Sequence, residues 1–480
     1  MSASDTMEPL CFGIDAATCR PLLPPVQDVV PVLRAAERQA RDAVGAPVPD
    51  NKDCCVPYGV DPNSLAQSGW GLIFNATEDS APYLEALQPL IHLREAESGG
   101  RFRVFAGADG WRPGESASKW LTRHGASLSM ISPVHGVPYY LAIVGPPTSI
   151  PFSFQYSLDI VAAVGRLDFG DLKELGAYAS SVAQFEADAS RTTRRSVEIF
   201  ATCHDFDRAT QLFTERVARP FCAGDGVDLP IGKSAGFSVT PILGADATKA
   251  GLAAALSRSS GPPSLIFTGS HGMVFDSQDS RQAASQGALV CQDWAGYGSI
   301  GASDWFSAQD VPLNANVHGT IHFFFACYGA GSPEFDDFNA VPGAKRCAPA
   351  SMTARLPQRL MTLPQGGVLA TLGHVDKAWA SSFVSKRGNA QTQGFRDVID
   401  RLLAGHRVGA ATDHFNSQWG VLGTELADML LDREYGKEVS DRELLAARTI
   451  RDDCRNYVVL GDPAVRLRPS SQTTEGLLHV

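Results

Sequence analysis

The sequence predicts an α/β protein in which helices cover the faces of a parallel or mixed sheet. Three observations predict it. Apolar runs of strand length alternate with stretches of helical spacing from about residue 68 to residue 470. The alternation restarts after a polar, basic break, "ASRTTRRS", at 189–196. Hydrophobic residues make up 44% of a 480-residue chain and charged residues 19%, which suits a large folded mass but exceeds one ordinary core. The expected organisation is a leader or lid at 1–67, a first α/β unit at 68–190, a second at 191–470 and a flexible tail at 471–480.

The leader is rich in Pro, Asp and Cys and carries one helical pattern, "VVPVLRAAERQARDAV". From Gly69, "GWGLIF" reads as a buried strand. "DSAPYLEALQPLIHLREAE" reads as one helix with Asp79 and Ser80 as cap candidates. "RFRVFAG", "PYYLAIVG" and "DIVAAVGRLDF" follow as strands. "GESASKWLTRHG" is a short helix closed by Gly125, and a longer helix begins at the Asp171 cap. Beyond the break, "SVEIFAT", "FSVTPIL", "PSLIFTGSHG", "GTIHFFFACYGAG", "GVLATLGHVD" and "NYVVLGDPAVRL" are strands. Between them lie "DFDRATQLFTERVARPF", a helix capped by Asp246, "SMTARLPQRLMTLPQG", "TQGFRDVIDRLLAGH" and "WGVLGTELADMLLDREYG" as helices. The two similar halves suit a distant internal duplication.

Composition excludes several classes of function. With 41 basic and 52 acidic residues the formal charge is −11, and no Lys/Arg run stands out, so neither nucleic acid nor an anionic membrane surface is expected as partner. No apolar run approaches the ~18 residues of a membrane-spanning helix. The first residues lack a basic and apolar signal pattern, so a cytoplasmic location with reduced thiols is expected. The ten cysteines show no zinc spacing, and no phosphate- or dinucleotide-binding glycine pattern appears; no metal and no cofactor are expected.

Two strand ends carry the chemistry. "SLIFTGSHG" delivers His271 at the end of an apolar strand, and "IHFFFACYGAG" delivers Cys327. Sites in parallel α/β sheets collect at the carboxyl ends of strands. If these strands are neighbours, an imidazole meets a thiol, which is what a cysteine nucleophile requires. Gly272 would let its N–H approach a substrate oxygen, and with the N–H of Cys327 it could form an oxyanion hole. Gly329 and Gly331 would turn the chain after the thiol. Alone, a strand cysteine is ordinarily core; the ordered pair of strand ends is what raises the functional reading.

"LIFTGSHG" followed by "HFFFACYGAG" resembles the His-Gly and Ala-Cys motifs of the caspase–gingipain (clan CD) cysteine peptidases. The Ala-Cys-Tyr-Gly string is not that of a caspase proper. It is more similar to the gingipain-type branch, with its bacterial intracellular relatives and CHAT domains. "PYYLAIVGPPTSIPFSFQYSLDIVAAVGRL" resembles that branch's non-catalytic front subdomain, and "VVLGDPAVRL" its closing strand. The resemblance covers about residues 68–470. It implies a caspase-like α/β/α sandwich behind a related non-catalytic subdomain, with His271 and Cys327 as catalytic pair, Gly272 as oxyanion donor, and a protein or peptide as substrate. It leaves the supporting acid unplaced.

Such peptidases read P1, the residue before the cut bond. Asp336 and Asp337 in "SPEFDDF", and Asp376 with Trp379 in "GHVDKAW", are candidates for a pocket taking a basic P1 side chain, although Lys377 beside Asp376 weighs against it. Two alternatives stay open: a thiol hydrolase of α/β-hydrolase type using His374, His406 or His414, and an inert protease-like scaffold. The leader or the "TRRS" break offers a lid or processing site, acted on by a regulatory partner or an activating protease.

Overall fold

The computed structural model describes residues 10–22, 59–134, 136–339, 346–385 and 388–471. The helical pattern of the leader, the adjacent pair Cys54–Cys55 and the tail beyond residue 471 lie outside the described residues. In chain order the strands are β1 (Gly13–Asp15), β2 (Arg20–Pro21), β3 (Trp70–Ile73), β4 (Phe102–Phe105), β5 (Tyr140–Val144), β6 (Ala163–Leu167), β7 (Arg194–Ala201), β8 (Ser238–Leu243) and β9 (Pro263–Gly269). They continue with β10 (Gly272–Val274), β11 (Leu289–Val290), β12 (Trp305–Phe306), β13 (Ile321–Phe325), β14 (Gly331–Ser332), β15 (Met352–Thr353), β16 (Ala370–His374) and β17 (Tyr457–Gly461).

Among the described residues, ten strands form one mixed sheet in the order β4-β3-β5-β6-β17-β16-β13-β9-β7-β8. Strands β3 to β6, extended by β17 from late in the chain, form one parallel block; β7, β8, β9, β13 and β16 form the other, and the blocks meet at the antiparallel pair β16/β17. The central strands are buried on both faces, which is why "IHFFF" and "VVLG" read as continuous apolar runs rather than alternating ones. The "LGDPAVRL" motif ties the end of β17 to the first half of the chain. Asp462, just past β17, accepts from Trp70 Nε1 at 2.8 Å and from Arg94 Nε at 2.7 Å, and Arg94 also pairs with Glu186. A smaller sheet, β12-β11-β10-β1-β2, stands beyond the carboxyl ends of β9 and β13, and β14 pairs with β15.

Several local expectations change. The helix expected over 79–97 divides at Leu87 into Ala81–Ala86 and Gln88–Ser98, because Pro89 has no N–H to continue the ladder. Thr248, not Asp246, caps the helix Lys249–Leu256; Asp246 belongs to a preceding 3₁₀ turn. A helix at Asp441–Arg455, unanticipated, starts with the reciprocal capping box of Ser440 and Glu443. The basic break is shorter than it reads. Arg194 and Arg195 already belong to β7, and Arg195 donates to the carbonyls of Ser470 and Ala235, each at 2.8 Å. A cut at Arg195 would therefore require opening the sheet. Among the described residues, no helix is long and apolar enough to cross a membrane.

Candidate active site

β9 and β13 pair in parallel register with Gly269 opposite Phe325. Two residues beyond each partner stand His271 and Cys327, so the register itself places residues 271 and 327 on one rim. The loop after β7, on the far side of β9, contributes Asp207. This residue caps the helix Arg208–Phe213, accepting from the Thr210 N–H at 2.8 Å. The same oxygen, Oδ2, lies 2.9 Å from His271 Nε2, and Oδ1 accepts from the Tyr297 hydroxyl at 2.9 Å. Burial opposes ionisation of Asp207. The charge and hydrogen bond of His271 and the Thr210 amide outweigh it and hold the carboxyl well below its usual range. Asp207 was not identified from sequence. Its signal was an Asp-x-x-Thr cap at a helix start, but the partner it orients is distant in the chain.

The N–H of Gly272 and the N–H of Cys327 converge on one acceptor, the carbonyl oxygen of Phe12, at 2.7 and 3.0 Å. Glycine is dictated at 272 by packing: a Cβ there would lie 1.9 Å from the carbonyl oxygen of Cys327. The Cys327 sulfur accepts from the Ala378 N–H at 3.2 Å and lies 3.3 Å from the sulfur of Cys11. It is fully buried. Burial, and then Cys11, push its thiol well above the ordinary cysteine range, so the enclosed sulfur is protonated at neutral pH.

The turn after the thiol differs from the expected one. The left-handed residue is Tyr328, at φ +59°, not Gly329 or Gly331. The Tyr328 N–H is taken by the carbonyl of Asp376 at 2.7 Å, and tertiary contact of this kind holds a non-glycine residue in that region. Gly331 instead lies in β14, where a Cβ would meet the Met352 carbonyl at 2.7 Å.

The acidic candidates do not form an open pocket. Both carboxylate oxygens of Asp376 accept backbone N–H groups, of Lys377 at 2.9 Å and of Asp337 at 3.0 Å. Lys377 Nζ pairs with Asp336, and Arg455 Nη2 pairs with Asp337 at 2.9 Å. Burial, then repulsion from Asp336, raises the Asp376 pKa. Trp379 packs on Phe338 and bridges Cys11 through the backbone. Asp336 and Asp337 are paired with neighbouring cations, and Asp376 is buried and held by backbone amides, which removes the physical reason for assigning them a basic P1 side chain. The histidines of the hydrolase alternative have other partners: His374 Nδ1 meets the Lys377 carbonyl, His406 meets Asn63, and His414 lies near Asp397.

No family model matches the chain, and no curated protein matches it. Among solved structures, one described as a protease is similar over 85% of this chain and 81% of its own length, at 13% identity and a TM-score of 0.48. Two crystal structures of the Saccharomyces cerevisiae separase–securin complex are similar over 70% and 68% of this chain, and over 16% and 15% of theirs. Both share 9% identity with it, at TM-scores of 0.32 and 0.31.

Proposed function

We propose that the protein is a cysteine endopeptidase. Cys327 is the nucleophile, His271 its proton carrier, Gly272 and Cys327 the oxyanion donors, and Asp207 the residue that orients His271. One observation carries the reading: two backbone N–H groups beside the thiol already converge on a single peptide carbonyl oxygen, as an oxyanion hole requires.

In this mechanism His271 takes the thiol proton and Cys327 Sγ attacks the peptide carbonyl carbon. Negative charge gathers on the oxygen held by the Gly272 and Cys327 amides. The C–N bond breaks as the imidazolium returns its proton to the leaving amine, and a thioester remains. Water, deprotonated by His271, attacks the thioester, which releases the acid and restores the thiol. Asp207 holds the imidazole by its Nε2 and stabilises its charged form. The residues Leu10–Gly13 cover the thiol, so catalysis requires their departure, and a regulatory partner or an activating protease is the kind of protein that would cause it.

The test compares purified wild type with Cys327→Ala and His271→Ala. Peptide pools are profiled by mass spectrometry, with and without limited proteolysis. New termini are expected with wild type alone. Cleavage that persists in Cys327→Ala would overturn the assignment.

A further inference from the structure

The segment that covers the thiol is laid out as a peptide substrate would be. On one side of Cys327 it runs antiparallel to 378–380. The Phe12 N–H donates to the Ala378 carbonyl at 3.0 Å, the Ala380 N–H donates to the Leu10 carbonyl at 3.0 Å, and Cys11 bridges Trp379. On the other side β1 runs parallel to β10, with Gly13 opposite Gly272. Between the two ladders the Phe12 carbonyl sits on the Gly272 and Cys327 amides. Strand addition on both sides of a nucleophile gives main-chain affinity, and side-chain pockets give selectivity.

One side chain has such a pocket. The ring of Phe12 is fully buried, with centroids of Phe325 at 4.7 Å, Phe383 at 5.8 Å and Phe213 at 6.0 Å, all edge-to-face, and His271 at 5.7 Å. Gly269 makes room for this cluster: a Cβ there would lie 1.9 Å from the Phe213 ring. Three phenyl rings offer no counter-charge to an arginine, lysine or aspartate, whereas they favour an aromatic guest by area and by edge-to-face geometry. The next position is confined by the thiol itself. A Cβ on Gly13 would stand 3.0 Å from both Cβ and Sγ of Cys327 and 2.8 Å from Leu22.

We propose that Leu10–Asp15 is an internal peptide lodged in the substrate cleft, and that the cleft selects protein segments with an aromatic P1 residue followed by glycine. The segment both reports the specificity and withholds the thiol until it leaves. The proposal rests on the peptidase reading above. A bound substrate reacts as already written: the Cys327 thioester forms with the aromatic residue's carbonyl, the aromatic–Gly bond breaks, and the glycine amine leaves with the proton returned by His271.

The experiment uses the full chain as wild type, as Gly13→Val, and as Phe12→Asp. The added bulk or charge of the two variants unseats the segment by independent routes. Each is assayed on internally quenched peptides Leu-Ser-X-Gly-Ile with X as Phe, Arg, Lys or Asp, alongside Cys327→Ala. Cys327-dependent hydrolysis of the Phe peptide about 10-fold or more above the others is expected. Longer peptides containing Phe-Gly should be cut at that bond, and faster than Phe-Val peptides. Cys327-dependent cleavage that favours Arg, Lys or Asp, or shows no preference, overturns the specificity and leaves the peptidase standing. If no peptide is cut and a Phe chloromethyl ketone leaves Cys327 unlabelled in every chain, the peptidase reading falls and takes this inference with it.

Discussion

The sulfur of Cys11 lies 3.3 Å from the sulfur of Cys327, although 316 positions separate the two residues in the chain. A disulfide needs about 2.05 Å between sulfurs, so the two must close by roughly 1.3 Å. Treatment with hydrogen peroxide in strongly alkaline solution, where the enclosed thiol ionises, should join these two cysteines, with two water molecules formed per peroxide. Peptide mapping should recover a Cys11–Cys327 crosslink that dithiothreitol reverses. Its absence, while other cysteines oxidise, would show that the segment does not dwell on the thiol.

Burial and Cys11 raise the Cys327 thiol, so opening the cleft must lower it. The wild-type alkylation rate at Cys327 should stay low through neutral pH and rise only in strongly alkaline solution. Gly13→Val removes the cover by steric conflict. In that chain the rate should climb at lower pH, because an exposed thiol titrates near ~8.5 and lower still beside an imidazole. Iodoacetamide kinetics followed by mass spectrometry check both curves. Identical pH profiles would mean that the segment does not govern the thiol.

How much of this was legible in the sequence follows from which contacts are local. "SHG" and "FACYG" each end an apolar strand, and parallel pairing of such strands is what the α/β pattern predicts; the nearness of residues 271 and 327 could therefore be read. Asp207 could not, because its meaning depends on β7 and β9 being neighbours and on how the following loop turns back. The acids at 336, 337 and 376 looked like a pocket because charge is visible in a sequence and neutralisation is not. Their partners Lys377 and Arg455 come from two separate stretches of chain. The role of Phe12 was invisible for a related reason. Nothing in "LCFGID" announces strand addition to residues more than two hundred positions away.

Asp207 acts both on a helix and on His271, and one substitution separates the roles. Asparagine caps a helix about as well as aspartate, so Asp207→Asn should retain the Thr210 hydrogen bond and a near-native melting temperature at acid pH. It cannot stabilise the imidazolium, so activity should fall by about 10²–10⁴-fold. The pH sign follows from the depressed carboxyl. Its contribution to stability is present above the unfolded carboxylate pKa of ~3.9 and is lost as pH falls through the lower folded value. Wild type should therefore exceed Asp207→Asn in stability at neutral pH, and the difference should close in acid. Unaltered kcat/KM in Asp207→Asn would remove Asp207 from the mechanism.

Lys377, with Arg455 on Asp337, is one of two cations that make the cluster beside the cleft tolerable. It pairs with Asp336 and raises no open charge toward Phe12, while Asp376 is held by backbone amides next to it. Removing one partner of a buried ion pair costs about 3–5 kcal/mol, because the remaining charge stays desolvated. Lys377→Met should therefore destabilise the protein by that order in urea unfolding. Adding Asp336→Asn should restore a large part of the loss, since it removes the stranded carboxylate. By contrast, Asp376→Asn should leave the ranking of Phe, Arg and Lys peptides unchanged. A shift of that ranking away from a basic residue in Asp376→Asn would return Asp376 to the specificity pocket. A fully stable Lys377→Met would show that the cluster is solvated and its charges cheap.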